Sequence, residues 1–206
     1  MRNTFLFPLA VAAKPMPVRA PLPGGAPPTS GKVSVSIPHQ QQQNWCWAAV
    51  SVGITTFYGS TTWTQGSVAQ AELGLNCCAA PLPTSCDVPW YLDRALTRVQ
   101  NFDHFVASAQ SFTVVQAEIN ANRPLCCRIQ WSIGGHFVAI SGWSINATGV
   151  EFVDVEDPDN GYNFQTYTDF LTYYRSAGVW SDTYFTRATG AAGTGGSGSP
   201  AVTPTS

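Results

Sequence analysis

The sequence predicts an α+β fold, with helices in the first half of the chain and antiparallel strands in the second half. Apolar residues of the first half recur with helical spacing between residues that cap helices well. The second half contains short runs rich in valine, isoleucine and aromatic residues, and turn-forming residues separate these runs. Helices that precede the strands, without regular alternation, are typical of α+β proteins.

The helix most clearly marked covers residues 45–58, a stretch that contains neither proline nor a charged residue. Asn44 is expected to cap its start, because an asparagine side-chain oxygen accepts hydrogen bonds from the free N–H groups of the first turn. Gly59 is expected to follow its end. Apolar residues four and seven positions apart share one face, so we expect most of this helix to be buried.

Four more helices and five strands complete the predicted fold. Ser67 or Thr64 is expected to cap the second helix, Asp87 the third and Thr113 the fourth. The further helices are predicted over residues 63–73, 88–99, 114–121 and 169–175. The strands are predicted over residues 32–37, 125–131, 136–143, 150–155 and 179–187.

A length of 206 residues accommodates one domain with tails, and we predict that this domain covers residues 32–188. Residues 1–31 are predicted to be a leader or signal segment followed by a linker rich in proline and glycine. Its apolar run, residues 4–13, is too short to span a membrane. An inhibitory pro-segment and a disordered start are the alternatives. Residues 189–206 are predicted to be a flexible tail.

The charge balance excludes some classes of partner. The net charge is −2 and charged residues make up 11% of the chain, so the sequence contains no basic patch that would bind nucleic acid or a membrane surface. No stretch predicts a membrane-spanning helix. A hydrophobic fraction of 44%, with 12% aromatic residues, indicates a packed core.

Cys46 lies in the first turn of the predicted long helix. The unpaired N–H groups and the positive end of the helix dipole favour an anion at this position. A thiol there loses its proton more easily, and the thiolate is the nucleophilic form of cysteine. The alternative is a buried cysteine that only contributes packing.

His136 and Asp157 are the candidate base and its orienting carboxylate. His136 follows two glycines at the start of a predicted strand, and Asp157 follows the end of the next strand. Since the two strands are expected to pair as a hairpin, the carboxylate can reach the imidazole and hold one tautomer. An ordinary strand histidine and an ordinary turn are the alternatives. Asp154 and Glu156 compete with Asp157 for this role.

Gln40 lies six residues before Cys46 and is the candidate oxyanion donor. Its side-chain amide and the backbone N–H of Cys46 could together stabilise a developing oxyanion. The alternative is that four consecutive glutamines form a polar surface loop. Gln41, Gln42 and Gln43 also leave the assignment open.

The spacing and context of these residues resemble papain-like cysteine proteases. The motifs NWCWAA, GGHFVAISGW and VEDP are similar to those of the bacterial AvrRpt2-like and C39-like peptidases, and the resemblance covers residues 33–187. It implies a papain-like fold, with a helical part packed on an antiparallel sheet. It also implies a triad of Cys46, His136 and Asp157 with Gln40 at the oxyanion. The Asn-Ser-Trp signature of papain is absent, so the third member rests on Asp157.

The resemblance implies a cysteine endopeptidase that hydrolyses a protein or peptide substrate through an acyl-enzyme, with no metal or organic cofactor. The sequence does not define the oligomeric state, and a monomer is favoured. An acyltransferase, such as a transglutaminase-like enzyme, would use the same triad with an amine as the acceptor. A catalytically silent secreted binding module, held together by disulfides, is an alternative from a different class of protein.

Five cysteines remain when Cys46 is set aside, and an odd number leaves at least one free thiol. Neighbours in a strand point to opposite faces, so one of Cys126 and Cys127 is expected to face the core. The other could bond to a cysteine of the loop between the second and third helices. We expect one or two disulfides, none of them to Cys46, within the set Cys77, Cys78, Cys86, Cys126 and Cys127.

Metal sites are not favoured by the sequence. The chain contains no CxxC motif with a nearby histidine, so a zinc site is not predicted. Residues 157–161 lack the spacing of a calcium-binding loop. Disulfides would indicate an oxidising compartment, so the protein is predicted to be secreted or in the cell envelope, with a cytoplasmic location as the alternative.

Overall fold

The computed structural model describes residues 28–191, and in this part of the chain the predicted α+β class is confirmed. The predicted leader and tail lie mostly outside these residues, and the domain bounds stay a prediction. The helices are α1 (Cys46–Phe57), α2 (Gln65–Leu73), α3 (Leu92–Arg98), α4 (Phe112–Asn120) and α5 (Tyr167–Thr172), with a 3-10 turn at Thr84–Cys86. The strands are β1 (Ser30–Lys32), β2 (Phe102–Val106), β3 (Leu125–Gln130), β4 (Gly135–Ile145), β5 (Glu151–Asp157), β6 (Gly161–Thr166) and β7 (Val179–Thr186).

All seven strands described belong to one antiparallel sheet, with the order β2-β7-β3-β4-β5-β6 and with β1 added beside β4. Strand β4 is long enough to pair with β3 through its first half and with β1 through its second half. On its other side it pairs with β5. The centre of the sheet therefore lies at β4, whose residues from Phe137 to Trp143 are buried.

Helix α1 is the centre of the helical layer, and nine of its twelve residues are buried. It packs against α2 and α3 on one side and against β4 on the other. Gly53 permits a close approach, because a side chain at that position would collide with Ile37 and the backbone of Ser36. The tight contact brings the extended segment before the helix directly against α1.

The strand predicted over residues 32–37 is wrong beyond its first residue. Val33, Val35 and Ile37 are buried in alternation, as predicted, but the strand ends at Lys32. The Val33 N–H still donates to the Ser141 oxygen of β4, and Ile37 lies against Gly53 of α1. Alternating burial requires only an extended chain with one face on the core, so the pattern alone does not distinguish this segment from a strand.

The predicted caps of α1 and α3 are also wrong. Trp45 precedes α1 and makes no side-chain cap. Asn44 instead bonds to Asp87, whose carboxylate accepts the backbone N–H of Asn44 at 2.9 Å. Because Asp87 is used in this contact, it does not cap α3, which begins after Tyr91. Asn44 and Asp87, both good capping residues, thus hydrogen-bond to each other and cap neither helix.

The remaining elements follow the prediction within a few residues. Thr64 caps α2, one of the two residues predicted, whereas Ser111 and not Thr113 caps α4. Helix α5 begins and ends two to three residues earlier than predicted. Strands β2 and β6 are not among the predicted strands, because Asp103 and His104 interrupt the apolar residues of the first and turn-forming residues precede the second.

Candidate active site

Cys46 is the first residue of α1 and is a free thiol that is 4% exposed. The two flanking tryptophans fix the start of the helix through their indole N–H groups. Trp45 donates to the backbone oxygen of Cys86 at 2.6 Å, and Trp47 donates to that of Val88 at 3.1 Å. The thiol therefore lies beside unpaired helix N–H groups on a backbone that is held from two sides.

His136 is the second residue of β4, and its side chain is 16% exposed. Its Nε2 lies 2.8 Å from Oδ1 of Asp157, at the end of β5. The Cys46 thiol is close enough to the ring to affect the pKa of the imidazole. Since Nε2 is occupied by the carboxylate, Nδ1 is the nitrogen left for the thiol. The structure thus brings together the three side chains predicted for the triad.

The surroundings of His136 favour its charged form. Burial alone would lower the pKa of the imidazole, but the hydrogen bond to Asp157 and the charges of Asp157 and Cys46 outweigh burial and raise the pKa from 6.5 to about 10. Burial would also raise the pKa of Asp157, yet the hydrogen bond from His136 holds it well below its usual range. The pair is therefore an imidazolium and a carboxylate at neutral pH.

Asp157 accepts hydrogen bonds on both oxygens. The backbone N–H groups of Asp159 and Asn160 donate to Oδ1 at 2.8 and 3.1 Å, beside the imidazole. The Tyr174 hydroxyl and the Asn160 amide donate to Oδ2 at 2.7 and 3.1 Å, and Arg175 Nε lies 3.4 Å from it. The carboxylate is fully buried and has little freedom to rotate away from the imidazole.

The two other carboxylates considered for this role make their contacts elsewhere in the described part of the chain. Asp154 pairs with Lys32 Nζ at 2.8 Å. Glu156 accepts a hydrogen bond from the Ser141 hydroxyl at 3.2 Å. Of the three carboxylates considered from the sequence, Asp157 is the one that contacts the imidazole.

A cysteine at a helix start, beside a histidine that a buried aspartate holds, is the arrangement expected of a thiol hydrolase. The family model described as papain-like cysteine protease AvrRpt2 matches residues 29–175, more than half of the chain. The chain belongs to this family. The resemblance to AvrRpt2-like peptidases inferred from the motifs is thereby confirmed, and membership indicates a cysteine protease that acts on protein substrates. Among curated proteins, no relative matches the chain.

Gln40 of this AvrRpt2-family protein is held within its own loop. Its Nε2 donates to the backbone oxygens of Gln42 at 3.1 Å and Gln43 at 2.7 Å, whereas its buried Oε1 has no hydrogen-bond partner among the described residues. Its backbone N–H donates to the oxygen of Pro158, the residue after the triad aspartate. The loop is thus joined to the turn that holds Asp157, while the oxyanion role of Gln40 stays a prediction.

The loop before the helix has a second support that the sequence did not indicate. Gln65, at the start of α2, is buried and accepts the backbone N–H of Gln41 at 2.9 Å. It also donates to the backbone oxygen of His39 at 2.8 Å. The ring of His39 contacts the oxygen of Pro158 at 2.6 Å. His39 therefore joins the two loops that flank the site.

The cysteine pairing agrees with prediction in part. Cys77 and Cys86 form a disulfide and Cys46 is free, as expected. Cys126 and Cys127 are both buried and free, so the expectation that one of them would reach the loop cysteines is wrong. Leu125, Cys126 and Cys127 are consecutive buried residues of β3, so both faces of the strand are covered at this point. Burial raises the pKa of both thiols well above the usual value.

The structure of residues 28–191 contains neither a metal-binding cluster nor a membrane-spanning helix. No three side chains of histidine, cysteine, aspartate or glutamate lie close enough together in this range to hold a metal ion. No helix within the same range has the length and apolar character needed to cross a bilayer.

Proposed function

We propose that this protein is a cysteine endopeptidase that uses Cys46, His136 and Asp157 as a catalytic triad. The hydrogen bond between His136 and Asp157, with the Cys46 thiol beside the imidazole at the start of α1, carries this proposal. Family membership supports it independently. We also propose that the helices and the antiparallel sheet adopt the papain-like arrangement, because α1 places Cys46 against the sheet that carries the other two residues.

The proposed reaction begins when the Cys46 sulfur attacks the scissile carbonyl carbon. The carbonyl oxygen becomes an oxyanion, and the imidazolium of His136 then donates its Nδ1 proton to the leaving amine. The amine departs and leaves a thioester on Cys46. Neutral His136 next takes a proton from water, whose oxygen attacks the thioester and releases the acid product. The proton returns to the pair, and Asp157 holds the imidazole in one orientation throughout.

The oxyanion is proposed to receive hydrogen bonds from the backbone N–H of Cys46 and the side chain of Gln40. Because the Nε2 atom of Gln40 donates to two carbonyls of its loop, the amide must turn toward the substrate when a peptide binds. Such tightening on substrate binding is common at catalytic sites. The unpaired Oε1 shows that the amide lacks a full set of partners in its present orientation.

Gln40→Ala is expected to lower kcat by about 100-fold or more, because that is the typical effect of losing one oxyanion donor. Gln42→Ala is the matched control, since Gln42 contributes only its backbone oxygen to the contact with Gln40. Steady-state kinetics with thermal unfolding of each variant would test the assignment. Equal losses in both variants would show that the loop conformation, and not the amide, is what matters.

The proposed setting is a secreted or cell-envelope protein that acts on proteins or peptides. The disulfide in the described residues supports an oxidising compartment, and reducing compartments such as the cytoplasm are the alternative. Residues 1–31 are proposed to be a leader that precedes the catalytic domain, and residues 189–206 a tail that follows it.

Comparison of the wild-type chain with Cys46→Ala would test the proposed function. We expect the wild type to release shorter peptides from a peptide library, with new termini read by mass spectrometry, and the variant to release none. The same assay with added methylamine separates hydrolysis from acyl transfer. Products that carry methylamine in place of water would identify an acyltransferase, and an intact library in all samples would favour a silent binding module.

A further inference from the structure

The residues on both sides of Cys46 are attached to one distant stretch of chain, Cys86 to Val88, here named the 86–88 segment. The indole N–H groups of Trp45 and Trp47 donate to its first and last backbone oxygens. Each tryptophan is buried, so water does not replace these bonds readily. The position of Cys46 therefore depends on the position of the 86–88 segment.

The middle residue of the segment holds the chain just before α1. The Asp87 carboxylate accepts the backbone N–H of Asn44 at 2.9 Å, and the Asp87 backbone oxygen accepts the Asn44 side-chain amide at 3.1 Å. Helix α1 has no side-chain cap of its own. The 86–88 segment thus supplies, from another part of the chain, the anchoring that a capping residue usually gives to a helix start.

Apart from its four hydrogen bonds to Asn44, Trp45 and Trp47, the segment has few supports other than a disulfide. Between residues 74 and 90, Cys77 and Cys86 are the two buried residues, and they are bonded to each other. One 3-10 turn, Thr84–Cys86, is the regular structure assigned between them. A loop with so little buried surface is held in one conformation mainly by its cross-link.

We propose that the Cys77–Cys86 disulfide is a positioning element of the active site, and that its reduction lowers peptidase activity. This inference rests on the proposed function and adds its regulation. A dithiol would supply two electrons and two protons, which convert the disulfide into two thiols while the dithiol becomes a cyclic disulfide. The Cys46 thiol is unchanged in this reaction. The active form therefore combines one intact disulfide with one free nucleophile.

The expected effect follows from geometry. A misplacement of about 1 Å at a catalytic group can cost on the order of 100-fold in rate. Cys77→Ala/Cys86→Ala is therefore expected to lower kcat by about 10-fold or more, with a smaller change in KM. Cys78→Ala is the matched control, because Cys78 is an exposed free thiol that is adjacent to Cys77 in the chain but is not part of the disulfide.

A second pair of variants leaves the disulfide intact. Asp87→Ala removes the carboxylate that accepts from Asn44, whereas Asp87→Asn keeps an acceptor oxygen at that position. We expect the alanine variant to lose activity in the same way as the double cysteine variant, and the asparagine variant to recover most of it. A purely structural contribution to folding would lower the unfolding temperature of the variants without changing kcat of the folded fraction.

The experiment measures kcat, KM, circular dichroism and the rate of Cys46 alkylation by iodoacetamide in full-length protein, with dithiothreitol added in steps. The proposal is supported if reduction of the wild type lowers kcat and the alkylation rate of Cys46, while dithiothreitol changes neither quantity in the double variant. A folded double variant with kcat within about two-fold of the wild type would overturn the proposal. If the double variant does not fold, unchanged kcat in Asp87→Ala would overturn it. Alkylation needs no substrate, so it separates this inference from a failure of the peptidase assay.

Discussion

His136→Ala is expected to abolish peptide hydrolysis, with a loss of about 10⁴-fold or more in kcat/KM. The variant lacks both the cation beside Cys46 and the proton that the leaving amine requires. It should also lose the fast reaction of Cys46 with iodoacetamide near pH ~5.5, because an adjacent imidazolium favours the reactive thiolate over the thiol in mild acid. Selective labelling of Cys46 in the wild type, read by peptide mass spectrometry, would show that the pair exists.

The pH dependence of the wild type has a definite direction. Because the pKa of His136 is raised from 6.5 to about 10, the imidazolium persists through neutral pH and is lost only as the pH rises through about 10. The alkaline fall in kcat/KM is therefore expected near that value and not near 6.5. The ion pair of His136 and Asp157 should contribute fully to stability below pH 6.5, and this contribution should be lost as the pH rises through about 10.

Two controls make this result specific. His104→Ala removes a histidine that pairs with Asp103 at 2.8 Å on strand β2, and it should leave both alkylation and hydrolysis unchanged. Cys78→Ala removes the exposed thiol that competes for reagent. Cys46 that reacts only in alkaline solution, as an ordinary thiol does, would contradict the ion pair and favour the binding-module alternative.

Asp157→Asn is expected to lower kcat by roughly 10³- to 10⁴-fold while the protein stays folded. An amide at this position can present its NH₂ group to the imidazole, which selects the wrong tautomer. Asp154→Asn and Glu156→Gln are the matched controls, since these side chains contact Lys32 and Ser141 and not the imidazole. A larger loss of kcat in Glu156→Gln than in Asp157→Asn would contradict the assignment of Asp157 as the orienting carboxylate.

Acid unfolding gives a second measurement on the same variant. The pKa of Asp157 is held below its usual 3.8, so its contribution to stability is present above that value and is lost as the pH falls below it. Asp157→Asn has no such titration. Its free energy of unfolding should therefore vary less with pH in this acidic range than that of the wild type.

The triad could be predicted because each member has a strong local signal. Cys46 begins an uncharged apolar run, His136 follows two glycines into a strand, and Asp157 ends the next strand. Each signal depends on residues a few positions away, and hairpin pairing then brings the two strand ends together. The structure confirms this proximity, while the chemical roles stay predictions.

The groups that hold the triad could not be predicted, because their partners are distant in sequence. Tyr174 reaches Asp157 from 17 residues away, and Asp87 reaches Asn44 from 43 residues away. Both Asp87 and Asn44 are good capping residues, so local signals predicted two caps that the fold does not form. Contacts between distant parts of the chain determine what Asp87 and Asn44 bind, and the local sequence pattern does not reveal such contacts.

The separation of the catalytic groups along the chain has a consequence for biosynthesis. His136 follows Cys46 by 90 residues, and Tyr174, which holds the orienting carboxylate, comes later still. A ribosome makes the helical part first, so α1 emerges before the strand that carries its base. A nascent chain of this kind has a cysteine without an acid-base partner. We expect the completed protein, and no partial translation product, to be able to cleave its neighbours.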